Sequence, residues 1–370
     1  MEYRKWEKAG IAPSLLGFGC MRFPTEEDGT IKKEETEKML DLAMDGGVTY
    51  IDTAYPYLNQ QSELFVGEYL KKYDRESFYL ATKLPIWLVE KPEDVDRYFA
   101  EQLEKLQMDY IDFYLIHALD KERFVKVEEM KIYEKLLEYK KEGKIRYLGF
   151  SFHDNYETFE QILKSHPWDF VQIQYNYMDT EFQAGDKGLK LAGEMGVPVV
   201  VMEPIRGGSL LRLPEEMKQV FTDYNPEASL ASWPLRWVAD HPEVKVILSG
   251  MGAIEQVEDN LSIFDSETAL NEEEKKVIDK VRAMIEERQK SRCTGCEYCM
   301  PCPFGVDIPS NFKYWNESSM YLDETGKRHY QSLEEAQARN CRQCGKCETV
   351  CPQHLPIRED LKKVADTFAE

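Results

Sequence analysis

The chain has 370 residues, 42% hydrophobic and 31% charged, with a formal net charge of −21, a length that allows roughly two domains or one large α/β barrel of up to about 250 residues and a smaller unit. The acidity belongs to residues 1–290, where 56 acidic residues face 37 basic ones, while 291–370 is nearly balanced at 12 against 10. So acidic a surface repels phosphate backbones and anionic headgroups, which excludes nucleic acid and membrane as expected partners. The opening MEYRKWEKAG has no signal-type apolar stretch behind it and no apolar run approaches the ~20 residues of a membrane span, so a cytoplasmic protein is expected.

Short β-branched or apolar runs recur through the first 250 residues: LLGFG near 15, VTYID near 48, FYLATK near 78, YIDFYLIH near 110, IRYLGFS near 145, FVQIQYN near 170, VPVVVME near 197 and VKVILSG near 244. Between them lie stretches of helical period with charged outer faces, such as KKEETEKMLDLAMDGG, VDRYFAEQLEKLQ and VEEMKIYEKLLEYKKEGK, the first and last closed by glycine. Eight strands alternating with helices predict parallel βαβ units and, by their count, a TIM (β/α)8 barrel. An open doubly wound sheet would need a phosphate loop after its first strand, and GFGCMRF is a poor GxGxxG. Two further helix-period segments follow, AIEQVEDNLSIF and NEEEKKVIDKVRAMIEERQK. The expected organisation is a barrel over 1–265, a connecting helix over 266–290 and a small, mainly helical unit over 291–370, in whose spacer between the cysteine runs the later part reads as helix.

Active sites of such barrels collect at the C-terminal ends of the strands. Asp52 in YIDTAYPY, Lys83 in LATKLP and His117 in FYLIHAL end successive strands, with Tyr57 five residues after Asp52. Singly, each has an ordinary explanation as a cap, a snorkelling lysine or a satisfied core histidine; together they suggest a site. In the hydride transfer to a carbonyl that the family resemblance given below implies, negative charge builds on oxygen and a proton donor must quench it. A phenol of pKa about 10 is a weak donor at neutral pH, and an adjacent buried ammonium would lower that value. Lys83 is expected to do this for Tyr57, with Asp52 holding Lys83 charged and a neutral His117 orienting the carbonyl. Tyr55 and Tyr175 are the rival phenols. Cys20 follows the first strand and reads as a core thiol.

The runs IDTAYPY, SELFVGEYL, ATK, DFYLIH, GFS, QIQYN and the closing EDN, over about residues 1–265, resemble the aldo-keto reductases. That resemblance implies a TIM barrel, a small-molecule carbonyl substrate and NAD(P)H bound without a Rossmann motif. It places Asp52, Tyr57, Lys83 and His117 as the catalytic tetrad, Ser151 and Gln172 at the nicotinamide carboxamide and Asn260 at the adenine end. The chain departs from the family at Gly149-Phe150-Ser151-Phe152-His153, where GFSN is common, and at Met202, where many members stack an aromatic ring on the nicotinamide. The positions that hold the 2′-phosphate fall on Gly250 and Gln256, neither basic. The choice among NADP, NAD and a flavin such as FMN therefore stays open.

Eight of the nine cysteines lie in two runs, CTGCEYCMPCP and CRQCGKCETVCP. The second is C-x2-C-x2-C-x3-C-P, the bacterial signature for a 4Fe-4S cluster, and the first is one residue shorter before its last cysteine. The fourth cysteine of such a run ligates the other cluster, which predicts Cys293, Cys296, Cys299 and Cys351 on one and Cys341, Cys344, Cys347 and Cys302 on the other. Structural zinc is the rival reading, because paired CxxC motifs also make four-thiolate sites. The spacer and PFGVDIP resemble helical ferredoxin modules of multi-subunit oxidoreductases. A barrel of this kind with a two-cluster tail resembles a branch of the aldo-keto reductases found in anaerobic bacteria and archaea, implying an iron-sulfur reductase that exchanges electrons with a ferredoxin or flavoprotein partner. The alternatives are an electron-transfer protein whose barrel does not use nicotinamide, and a reductase whose clusters are only structural.

Overall fold

The computed structural model describes residues 1–265, 268–293, 295, 297–322 and 324–369. They form two units, one of Met1–Arg206 with Ala231–Asn271 and the other of Gly207–Leu230 with Glu272–Glu370.

In the first unit eight parallel strands close into a barrel in chain order. They are β1 (Leu16–Gly19), β2 (Tyr50–Asp52), β3 (Tyr79–Leu84), β4 (Ile111–Leu119), β5 (Ile145–Phe152), β6 (Phe170–Gln174), β7 (Val199–Met202) and β8 (Val244–Ser249). Each lies where an apolar run predicts it. Rings and small residues alternate around the barrel interior: Gly17 pairs with Tyr50, Ala81 with Phe113 and Gly149 with Phe170. Each ring thus fills the space that its neighbour leaves. An N-terminal hairpin, bridged at Tyr3 with Ser14 and Trp6 with Ile11, adds Trp6 to this layer, 4.9 Å from the Phe113 ring and 5.9 Å from Phe170.

The period of two along a strand then dictates the next inward layer. Two residues beyond Tyr50, Ala81, Leu115, Gly149, Phe170 and Val200 stand Asp52, Lys83, His117, Ser151, Gln172 and Met202. The apolar floor and the polar layer above it are successive steps of the same strands.

One helical expectation needs correction and another needs extension. The segment read as one helix over VEEMKIYEKLLEYKKEGK is two, Lys121–Glu129 and Ile132–Lys141, because Lys131 takes a left-handed conformation at φ 54°. In the cysteine region the later part of the spacer is helical as expected, over Thr325–Ser332, and a longer helix precedes it, Ile308–Met320, capped by the Asp307 carboxylate, which accepts from the Ser310 N–H at 3.2 Å.

That early helix organises the second unit. Its buried Asn316 accepts from the N–H groups of Lys290 and Ser291 at 2.9 and 2.8 Å, just before Cys293. Its buried Asn311 donates to the Ala336 carbonyl at 2.9 Å and accepts from the Ala338 N–H at 2.7 Å, just before Cys341. One helix therefore sets the entry to both cysteine runs. Val306, Ile308, Phe312, Trp315, Leu361 and Val364 form much of its apolar core. Among the described residues no helix is long and apolar enough to cross a membrane.

A Cβ on Gly149 would lie 2.5 Å from the Phe170 carbonyl oxygen and 2.7 Å from its ring. Gly149→Ala is expected to overpack the barrel at a cost of about 1–3 kcal/mol, read as a lowered midpoint of urea unfolding; an unchanged midpoint would contradict this packing.

Candidate functional site

Lys83 is fully buried at the end of β3, and its Nζ donates to Asp52 Oδ1 at 2.7 Å, the Thr53 carbonyl at 2.7 Å and Tyr57 Oη at 3.3 Å. The β2–β3 pairing that sets Asp52 opposite Ala81 brings the two charges together. Tyr57 is delivered by a turn in which its N–H donates to the Ala54 carbonyl at 3.1 Å, followed by three left-handed residues, Leu58, Asn59 and Gln60. Thr53 Oγ1 and Ser62 Oγ, 2.8 Å apart, tie that turn to the next helix. His117 stands where β4 slips register against β5, beside Ala118 at φ 53°. Such an irregularity re-aims a side chain at a strand end. Its ring is 6.1 Å from the Tyr57 ring and 5.0 Å from the Trp87 ring.

Burial works against the Lys83 charge, but Asp52 and the Tyr57 oxygen outweigh it and leave the ammonium above the usual lysine value. Burial, joined by Lys83, His153 and Arg123, holds His117 well below the usual histidine value, so the ring is neutral at pH 7. Tyr57 departs from expectation. Lys83 does pull the phenol downward, but burial outweighs it and Asp52 opposes it, so the phenol sits above its ordinary pKa. Desolvation of the phenolate is the larger effect.

The rival phenols are engaged with carboxylates. Tyr55 donates to Glu101 at 3.1 Å, with its pKa pushed up to about 12, chiefly by burial, and Tyr175 donates to Asp186 at 2.6 Å. Cys20 is fully buried, and burial together with the Asp52 carboxylate drives its thiol pKa well up, which keeps it a neutral core thiol.

Ser151 and Gln172 are register partners on β5 and β6. The Ser151 Oγ accepts from the Ala118 N–H at 2.7 Å, which leaves its hydroxyl proton to donate. Gln172 Nε2 lies 3.4 Å from the Met202 sulfur, while its buried Oε1 has no partner among the described residues. An orphaned buried acceptor beside a hydroxyl donor suits a carboxamide, so these residues fit a nicotinamide. Asn260 Nδ2 donates to Ser249 Oγ at 2.6 Å. Gln256 Oε1 accepts from the Gly252 N–H at 2.8 Å, and Gly250 packs on the stem of Arg22, whose Cγ would be 3.1 Å from a Cβ there.

Three features escaped the sequence. Arg22 is a cation at a loop whose own positions are not basic. Trp87, four residues after Lys83, joins the site through the His117 ring. Behind Lys83, the fully buried Glu63 accepts from Thr82 Oγ1 and Gln102 Nε2, each at 2.6 Å, and Gln102 also donates to the Lys83 carbonyl at 3.1 Å. Their only sequence signal is a polar residue on an otherwise apolar helix face.

In the second unit the described cysteines ring two cavities. One is lined by Cys302 with Cys341, Cys344 and Cys347, the other by Cys293 and Cys299 with Cys351; Cys299 also borders the first. Cys296 lies outside the described residues. Thiolates spread around a cavity from both runs suit a cluster of several irons, so the donor set fits.

Residues 15–283 match the Aldo/keto reductase family and residues 292–355 a 4Fe-4S dicluster domain. The chain is 30% identical over 208 residues to a probable aldo-keto reductase 1 of Glycine max, which spans 54% of this chain and 58% of that protein. It is 27% identical over 309 residues to the uncharacterized oxidoreductase YqkF of Bacillus subtilis, covering 75% of this chain and 95% of that one. The holo form of aldo-keto reductase AKR11C1 from Bacillus halodurans superposes with a TM-score of 0.63 at 28% identity, over 76% of this chain and 96% of that structure. The chain thus spans less than two thirds of the soybean relative and nearly all of the two Bacillus proteins. It belongs to the aldo/keto reductase family, as an oxidoreductase of that type whose C-terminal dicluster domain implies two 4Fe-4S clusters.

Proposed function

We propose that this protein reduces a small-molecule aldehyde or ketone with NAD(P)H in the barrel, and that its clusters exchange electrons with a ferredoxin or flavoprotein partner. In this reading residues 1–265 are catalytic, 266–290 connect and 291–370 carry electrons. The observation that carries the barrel chemistry is the buried Lys83, held charged by Asp52 and within 3.3 Å of the Tyr57 oxygen.

When bound, the nicotinamide supplies the hydride. Tyr57 donates its proton to the carbonyl oxygen as charge builds there, and Lys83 stabilises the phenolate left behind. The neutral His117 orients the carbonyl by hydrogen bonding without adding a second positive charge. Ser151 and Gln172 orient the carboxamide, and Trp87 lends an apolar wall against the His117 ring. Hydride carries two electrons and each cluster one, so barrel and clusters do distinct chemistry.

Tyr57→Phe is expected to lower kcat for a reducible aldehyde by about 10²–10⁴-fold while nicotinamide binding stays within a few-fold of wild type, because only the transition state uses the donor. Retention of near wild-type kcat would remove Tyr57 from the mechanism. Lys83→Met should be as inactive and also less stable, since Asp52 is left a buried carboxylate without its partner. The acid must be protonated to donate and its pKa is raised, so kcat should hold through neutral pH and fall only as pH climbs past the ordinary phenol value of about 10. A decline near pH 7 would point to a different donor.

With Gly250 and Gln256 uncharged, NADH is expected to bind at least as tightly as NADPH, measured for both by quenching of protein fluorescence. A strong preference for NADPH that vanishes in Arg22→Ala would instead assign the 2′-phosphate to Arg22.

For the clusters, exchange of the fourth cysteines predicts that Cys351→Ser damages the cluster of Cys293, Cys296 and Cys299, and Cys302→Ser that of Cys341, Cys344 and Cys347. Each variant should retain one intact 4Fe-4S signal by electron paramagnetic resonance. Adding Cys341→Ala to Cys351→Ser should injure both clusters, whereas adding Cys293→Ala should injure one; the reverse pattern would mean that each run serves its own cluster.

A further inference from the structure

The two cluster cavities differ in the charges that line them. Arg342 and Arg358 border the cavity of Cys302, Cys341, Cys344 and Cys347, and no acidic residue does among those described; the cavity of Cys293, Cys299 and Cys351 is bordered by Glu297 and by no basic residue. Arg358 is tied to Glu348, Nε to Oε2 at 2.9 Å, and its guanidinium lies beside Gly345, whose φ is +79°; a Cβ there would be in ordinary contact with Cζ, at 3.6 Å. Arg342 is exposed and has no ion pair among the described residues. The Cys341 sulfur also receives the Gln343 N–H at 3.4 Å and its side-chain Nε2 at 3.5 Å, and Nε2 is steadied by the Arg358 carbonyl at 3.1 Å.

Reduction adds one electron, and no proton, to a centre already made anionic by its thiolates. Positive charge and N–H donors to sulfur therefore favour the reduced form, and a carboxylate disfavours it. Cys299 and Ile308 border both cavities, so the centres are adjacent and one electron can pass between them, oxidising one cluster as it reduces the other. We propose that the clusters are unequal, and that the one held by Cys302, Cys341, Cys344 and Cys347 beside Arg342, Arg358 and Gln343 has the higher reduction potential and holds the electron in the singly reduced protein. This rests on the two-cluster reading above.

The test uses the full chain, purified without oxygen, with iron and acid-labile sulfide counted first. Titration with dithionite under electron paramagnetic resonance should give two one-electron steps. Arg342→Gln should move the higher-potential step downward and leave the other in place; Glu297→Gln should move the lower one upward and leave the first. If Arg342→Gln loses iron, Glu297→Gln reads the same asymmetry from the opposite side. A single coincident step, or Arg342→Gln shifting the lower step, or Glu297→Gln the higher, overturns the proposal while leaving two clusters in place. Protein that carries zinc and no iron overturns the cluster reading itself and this proposal with it.

Discussion

A charged lysine with no exposure to water is the constraint around which the barrel is arranged. Desolvating an ammonium costs several kcal/mol even after relaxation, and only a close counter-charge with well-made hydrogen bonds offsets it. Lys83 finds Asp52 and the Thr53 carbonyl, both at 2.7 Å. Those contacts demand that β2 and β3 keep their register, which the Thr53 N–H donating to the Ala81 carbonyl at 2.9 Å secures. They also demand that the Lys83 backbone stay put, and Gln102 holds its carbonyl from behind, itself held by Glu63 and by the Tyr114 hydroxyl, which donates at 2.7 Å. The polar layer is thus supported by a second polar layer outside the strands, and neither can shift without leaving a buried charge unpaired.

Tyr57 and His117 depend on that charge in opposite ways. The ammonium stabilises the phenolate that proton donation would leave and disfavours protonation of the imidazole, so one positive group separates an acid from a neutral hydrogen-bonding partner. Burial adds to the effect on His117 and opposes it on Tyr57.

Much of this was legible in the chain because a strand has a period of two. Given Tyr50, Ala81, Phe170 and Val200 as interior residues, the inward direction of Asp52, Lys83, Gln172 and Met202 follows from counting, and eight apolar runs fix the barrel. What was not legible depends on contacts remote in sequence. The left-handed Lys131 breaks a helix that periodicity alone continues. The slip of β4 at His117 is a property of its pairing with β5, and no residue type announces it. The net direction of the Tyr57 pKa is set by how much water the fold removes, which the spacing of Tyr57 from Asp52 does not encode. Arg22 reaches the loop of Gly250 only because β1 and β8 are neighbours in a closed barrel.

The second unit solves a different problem. Its cysteine-bearing part, residues 291–370, is short and has a small apolar core of its own, and an unbraced segment of that size buries little surface relative to what its unfolded chain exposes. Ligand bonds made on folding would supply the difference, as metal binding does in other small domains. The proposed exchange of fourth cysteines makes this bracing cooperative: neither cluster can be completed until both runs are in place, and Asn316 and Asn311 on a single helix position the entries to both. Each cluster would then close a loop containing that helix, and Ile308, which borders both cavities from its first turn, would lie between the two centres. The same helix would set the geometry of assembly and the separation across which an electron moves.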